Sequence, residues 1–361
     1  MKRFLFLLLV GCLLALASVA QEPKITNGKL VPRTVSGTLE QELAAITKNE
    51  PGPAWIGYPV PVIPGEHHMC CFDFDHYQRN SRCCGGCRLE SGNGNSVIGK
   101  IKDCRQLEPS KIFFTLLRIQ NRQLVKARPY SVDCELDIGG LTMYWLNGVK
   151  ASESVSLLER LVNGDTPLAK SSHPDEGETI SAIAMHADAS ADAALDRLVL
   201  AGKPDEVREH AAFWLGSSRG HHGFEVLRNL LRIESEPGAL EHFVFALSQN
   251  DDPQAQPELI RLARNDRRPE VREQALFWLA QRAGNKVGAV ITEAIKRDPE
   301  TEVKKKAVFA LTQMPESEGV PLLIQVAKTN RNPVVRKEAI FWLGQSGDAR
   351  ALDYIESVLA K

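Results

Sequence analysis

The ten residues "VREQALFWLA" at Val271–Ala280 decide the fold of most of this chain. Near-copies stand at Val207 ("VREHAAFWLG"), Val303 ("VKKKAVFALT") and Val335 ("VRKEAIFWLG"), with a fainter one, "ALEHFVFALS", at Ala239. The start points are all 32 residues apart. Repetition at that period is the signature of a solenoid, in which each unit buries its apolar face only against its neighbours. Wound at about 100° per residue, positions 1, 5, 8 and 9 of the phrase fall on one side. In the central copy these are Val271, Ala275, Trp278 and Leu279, so the phrase is predicted to be an amphipathic helix.

A second apolar-periodic stretch follows each phrase, at Phe224–Ile233, Pro257–Ala263, Val287–Lys296, Val320–Lys328 and Ala349–Leu359. Proline stands just before most phrases (Pro204, Pro237, Pro269, Pro299, Pro333), where a missing N–H costs a helix nothing. Each repeat therefore reads as a helical hairpin. "PEVREQALFWLA" followed by "VGAVITEAI", and "VVRKEAIFWLGQSGDARALDYI" most closely, resemble the bacterial HEAT-like repeat of the phycobilin-lyase type. The resemblance covers about residues 150–361. It implies a mainly α fold, a HEAT-like α-solenoid of stacked hairpins, with the phrase helix on the concave side. It implies no lyase activity, because such repeats serve many roles and the chain has no bilin-attachment chemistry.

Position eight alternates: Trp214, Ala246, Trp278, Ala310, Trp342, with Ala182 one step earlier in the degenerate copy "TISAIAMHA". Large and small side chains in successive layers predict interdigitated packing with a true unit of 64 residues, and Trp as core filler. Position seven is Phe in the five copies from residue 207 onward: Phe213, Phe245, Phe277, Phe309 and Phe341. This column lies off the packing stripe. It either packs sideways against the next layer or forms an aromatic stripe for a partner. The basic column at position two (Arg208, Arg272, Lys304, Arg336) is expected to anchor turns between repeats.

The rest of the chain has a different character. Lys2 and Arg3 precede an apolar run from Phe4 to Leu16, and "SVA" at Ser18–Ala20 offers a small-residue cleavage site, the pattern of a secretory signal peptide over residues 1–20. A lipobox-like "LVGC" ending at Cys12 is the rival reading. Removal of Lys2 and Arg3 takes the formal charge from −1 to −3. With 44 basic and 45 acidic residues nothing marks a nucleic-acid binder, and no further stretch is long enough to span a membrane. The expected location is extracytoplasmic, periplasmic or secreted. Seven cysteines remain, Cys70, Cys71, Cys83, Cys84, Cys87, Cys104 and Cys134, all before residue 135. In an oxidising compartment they predict a disulfide-stapled first domain.

That domain, residues 21–149, shows no 32-residue period. Thr38–Ile46 reads as a short helix, Ala54–Ile63 as a strand, "KIFFTLLRIQNRQLVKARPYSV" as a hairpin turning near Asn121–Arg122, and Leu141–Leu146 as another strand. A small β-rich domain with long loops is expected. "HHMCCFDFDHYQRNSRCCGGC" holds its densest chemistry. Disulfides are the leading reading. A metal site using His67, His68 and His76 and a redox role for Cys84–Cys87 are the alternatives, though cysteine doublets are not the usual zinc spacing. Asp133, Glu135 and Asp137 alternate as on a solvated strand face, and His210 and His242 share one repeat position. No G-x-S-x-G, H-E-x-x-H or phosphate loop is present. The expected function is an exported, non-enzymatic scaffold that needs no cofactor and binds a protein or peptide along the solenoid. The alternative is a metal-binding, redox or enzymatic protein with its site in residues 67–87.

Overall fold

The computed structural model describes residues 22–65, 69, 83–84, 86–90, 96–97, 105–106, 110–169, 175–283 and 287–360. Its first part contains strands β1 (Lys24–Thr26) and β2 (Lys29–Thr34), helix α1 (Leu39–Asn49), and strands β3 (Ala54–Pro61), β4 (Cys83–Cys84), β5 (Gly86–Arg88), β6 (Ser96–Val97), β7 (Arg105–Gln106), β8 (Ile112–Gln120), β9 (Gln123–Ser131), β10 (Glu135–Asp137) and β11 (Thr142–Asn147). Thr38 caps α1 through a reciprocal capping box with Gln41. The hairpin expected around Asn121–Arg122 is β8–β9. Both turn residues have positive φ, 51° and 62°, as the twist-matched two-residue turn requires.

The main sheet runs β2-β11-β3-β8-β9, with β11 parallel to both its neighbours. Successive side chains alternate between its faces. Trp55, Phe114, Leu116, Met143 and Trp145 point to one face and join Leu136 and Ile138 in a core of their own. Ile56, Tyr58, Val60, Phe113, Leu117 and Leu146 point to the other and join the core of the helical part. Gly57 permits the close approach on the first face, since a Cβ there would lie 2.7 Å from the Trp145 ring.

Residues 151–359 form α2 (Ala151–Asn163), α3 (Glu176–Met185), α4 (Ala189–Leu198), α5 (Asp205–Ser218), α6 (Gly220–Ile233), α7 (Pro237–Gln249), α8 (Ala255–Asn265), α9 (Pro269–Ala283), α10 (Gly288–Arg297), α11 (Thr301–Thr312), α12 (Glu316–Thr329), α13 (Pro333–Gln345) and α14 (Ala349–Leu359). The phrase helices α5, α7, α9, α11 and α13 pack successively in one row, with α3 before them, and the even-numbered helices form the second row. The 32-residue ruler is thus the spacing of layers. Two second-row helices, α6 and α12, begin four residues before the periodic apolar stretch that marks them, at Gly220, whose φ of +48° turns the chain out of α5, and at Glu316. Helices cross closely at these turns: a Cβ on Gly223 would meet the Leu215 carbonyl oxygen at 1.8 Å, and one on Gly319 the Leu311 carbonyl oxygen at 2.2 Å.

The sheet takes the place of the layer before α3. Strand β9 packs beside that helix, and Arg128 of β9 pairs with Glu178 of α3 at 2.5 Å. The end of β3 pairs with the segment after α3 through a bridge between Val62 and His186. His186 is completely buried here. Its Nδ1 donates to the Ala182 carbonyl at 2.7 Å, so Nε2 accepts from the Ser154 hydroxyl at 2.9 Å, and Ser154 in turn accepts from the Tyr58 hydroxyl at 2.9 Å. One apolar core therefore runs continuously from Leu39 to Ala351, across the boundary between residues 149 and 150.

Candidate partner-binding face

The structure resolves the two readings of the Phe column into one geometry. Each Phe packs sideways, and the outer part of the column stays open. Phe213, Phe245, Phe277 and Phe309 are half-buried, and Phe341 in the last layer is 54% exposed. Phe213 stacks on Phe245, and Phe277 on Phe309, each with ring centroids 6.0 Å apart and planes within 20°. Phe245 meets Trp278 at 4.5 Å, and Phe309 meets Trp342 at 4.9 Å. Within a layer the Phe and Trp rings stand edge to face at 5.2, 4.9 and 5.0 Å. From Trp214 to Phe341 the eight rings form an unbroken row over five layers. Contacts in this range contribute roughly 0.5–1.5 kcal/mol per pair beyond burial.

The tryptophans correct the expectation of core filler. Trp214, Trp278 and Trp342 are only half-buried and rest against the edge of the core. The reason lies in the alternate layers. Ala182, Ala246 and Ala310 at the same position are fully buried, so the space there accommodates a methyl group. The indoles of Trp278 and Trp342 lie instead along the row, over the Phe of the preceding Ala layer. The alternation thus has a physical meaning other than core filling: Trp278 and Trp342 each cover the Phe of the layer before, while Trp214, preceded by Ser181 at the Phe position, rests on Phe213 of its own layer.

Beside Trp278 lies a cavity of about 310 Å³, lined by Ser248, Asn250, Asp251, Asp252 and Arg282. The Trp278 Nε1 atom is buried without a hydrogen-bond partner. A cavity of about 300 Å³ beside Trp342 repeats it 64 residues on, with Thr312, Gln313 and Ser346 in the lining. There Trp342 Nε1 donates to Glu338 at 2.8 Å. The 64-residue unit is therefore visible both in the rings and in the hollows beside them.

The three arginines of the basic column behave as turn anchors, whereas Lys304 makes no ion pair among the described residues. Arg272 donates to the Asp266 carbonyl at 2.8 Å and grips the Asp298 carboxylate at 2.7 and 2.9 Å, with both side chains almost fully buried. Arg208 pairs with Glu234 and donates to the Val199 carbonyl, and Arg336 donates to the Asn330 carbonyl at 2.8 Å. The other marked residues do not assemble into a site. His210 lies against Gly177, and His242 faces Glu209 at 3.5 Å. Asp137 accepts from Asn27 at 2.9 Å on an exposed strand face. Among the described residues no three His, Cys, Asp or Glu side chains are placed to hold a metal. His67, His68 and His76 lie outside those residues, as do Cys70, Cys71, Cys104 and the signal-like residues 1–20. Cys83, Cys84 and Cys87 are placed only as backbone in β4 and β5. Cys134 is fully buried and disulfide-bonded, with its sulfur 3.4 Å from the Met69 carbonyl oxygen. The wider bridging pattern stays an expectation.

Among the described residues no helix is long and apolar enough to cross a membrane. No curated protein sequence matches the chain. Among solved structures it is similar to human deoxyhypusine hydroxylase, determined with glycerol (17% identity, 57% of this chain and 90% of that one, TM-score 0.30). It is similar also to the complex of CpcE and CpcF of phycocyanin lyase from Nostoc sp. (19% identity, 58% and 81%, TM-score 0.31). Neither likeness bears on activity. Residues 191–280 and 288–361 match the family model described as HEAT repeats. The helical part of the chain carries HEAT repeats, stacked as a solenoid built onto a β-sheet.

Proposed function

We propose that the chain is an exported, non-enzymatic scaffold that holds an extended protein segment along the aromatic row of its solenoid. The observation that carries this reading is the continuity of the row: eight rings in contact, each at least partly exposed, none fully enclosed. Aromatic side chains that are held rigid and half-open are the groups that most often anchor an interface. Packed helices stand about 10 Å apart, so the hollows beside Trp278 and Trp342, two layers apart, are separated by roughly 20 Å. An extended chain rises about 3.3 Å per residue, so anchors about six residues apart in a partner would reach both. Export rests on the signal-like residues 1–20 and on the seven cysteines confined to residues 70–134, which we take to staple the sheet end of the molecule.

Panning a random 12-residue peptide library against the oxidised protein tests the reading. Selected peptides should carry apolar or aromatic anchors at a spacing of about six. The triple variant Phe213→Ala, Phe277→Ala, Phe341→Ala, checked to be folded, should not retain them. Retention by that variant would show that the peptides bind elsewhere.

A further inference from the structure

A third cavity belongs to a different part of the surface, and none of the row's rings lines it. It measures about 520 Å³ and lies between α10, α12 and the start of α11. Its lining includes Lys296, Lys304 and Arg331, together with Thr292, Gln325 and Asn330, and no acidic side chain. None of the three cations makes an ion pair among the described residues.

Comparison of one layer with the next shows what is missing. The residue 26 positions after the phrase's second position ends each second-row helix, and runs Glu234, Asp266, Asp298, Asn330. All four use a side-chain oxygen in the same way, to accept from the backbone N–H two residues on, at 3.0, 3.0, 2.9 and 2.9 Å. Each of the first three also neutralises a cation. Arg208 takes Glu234, and Arg272 takes Asp298. Where position two is Leu240, Asp266 is taken by Arg268 instead. Only in the fourth layer does a cation, Lys304, stand at this place with a neutral side chain, Asn330, and both line the cavity of about 520 Å³. A cation near others without a counter-charge is destabilising unless water or a ligand compensates it.

We propose that this cavity binds a carboxylate ligand carrying at least two negative charges, with one carboxylate taking the place that Asp298 fills for Arg272. The remaining volume and the cations Lys296 and Arg331 accommodate the second charge. A free di- or tricarboxylic acid and a pair of acidic side chains on a peptide present the same chemistry. This site and the aromatic row stand or fall separately, because they share no residue.

Isothermal titration of the full-length oxidised protein with citrate, succinate, a triglutamate peptide and inorganic phosphate distinguishes the sources. Binding of citrate or succinate identifies a free acid, and binding of triglutamate alone identifies a peptide. In either case Asn330→Asp should weaken binding at least tenfold while raising the thermal midpoint, because it supplies the missing internal partner. Lys304→Gln should weaken binding without that rise. Absence of carboxylate binding at millimolar concentration would overturn the proposal, as would binding of phosphate in preference to every carboxylate. Carboxylate binding unchanged in both variants would equally overturn it.

Discussion

His186 should make the protein acid-sensitive by a calculable amount. Its ring is buried against Phe113, which stands edge-on at 5.1 Å, and burial pushes its pKa from 6.5 down to about 4. Asp188 favours the charged ring, but Arg219, which donates to the His186 carbonyl at 3.1 Å, opposes it. Above pH 6.5 the ring is neutral in both folded and unfolded chains. Below that the unfolded chain takes up a proton that the folded chain refuses until about pH 4. Stability is therefore lost as pH falls through this window. A depression of this size corresponds to about 3 kcal/mol, since one pK unit is worth about 1.4 kcal/mol. The assay is urea unfolding at pH 7 and pH 4 for the parent and for His186→Gln. The variant starts less stable at pH 7, because Ser154 loses its acceptor. It should then lose about 3 kcal/mol less than the parent on acidification, carboxylate titration being common to both. Equal acid losses in the two proteins would refute the assignment of this group.

Trp278→Ala should cost about 2 kcal/mol, below the roughly 3–5 kcal/mol of a fully buried indole, because the ring is half-open, and Phe277→Ala about 1–2 kcal/mol; denaturation midpoints check both. Asp298→Ala strands the nearly buried Arg272 and should cost about 3–5 kcal/mol. Glu293→Ala removes only exposed pairs with Arg264 and Arg297 and should cost about 1 kcal/mol or less by the same measurement. Mass spectrometry of the non-reduced mature protein should find no more than one free thiol among the seven cysteines; seven would replace the disulfide reading with metal ligation.

Much of the helical part was legible because a repeated phrase is its own control. The period, the hairpin unit, the turn-anchoring arginines and the Phe column all follow from comparing one copy with the next. The same comparison misassigned the tryptophans. Helical phase places position eight on the buried stripe, but phase says nothing about depth, and Ala246 and Ala310 show that the space there is shallow. In the first part the β8–β9 hairpin and the β3 and β11 strands were legible from alternation and turn residues. The order β2-β11-β3 was not, since parallel pairing between segments a hundred residues apart leaves no local signal. The Tyr58–Ser154–His186 chain was hidden for the same reason: its members are brought together only when the sheet docks on α3. The Lys304 and Asn330 mismatch was present in the sequence, but it acquires meaning only when the ion pairs of the other layers are seen.

The central claim, recognition along the aromatic row, is tested most directly by the dissociation constant of a panned peptide for the parent and for the double variant Phe245→Ala, Phe277→Ala. Fluorescence anisotropy of the labelled peptide supplies the constant, and urea midpoints confirm that both proteins are folded under the assay conditions. The expected result is a loss of at least a hundredfold, about 1.4 kcal/mol for each anchor. A dissociation constant that the double variant leaves unchanged would contradict the claim.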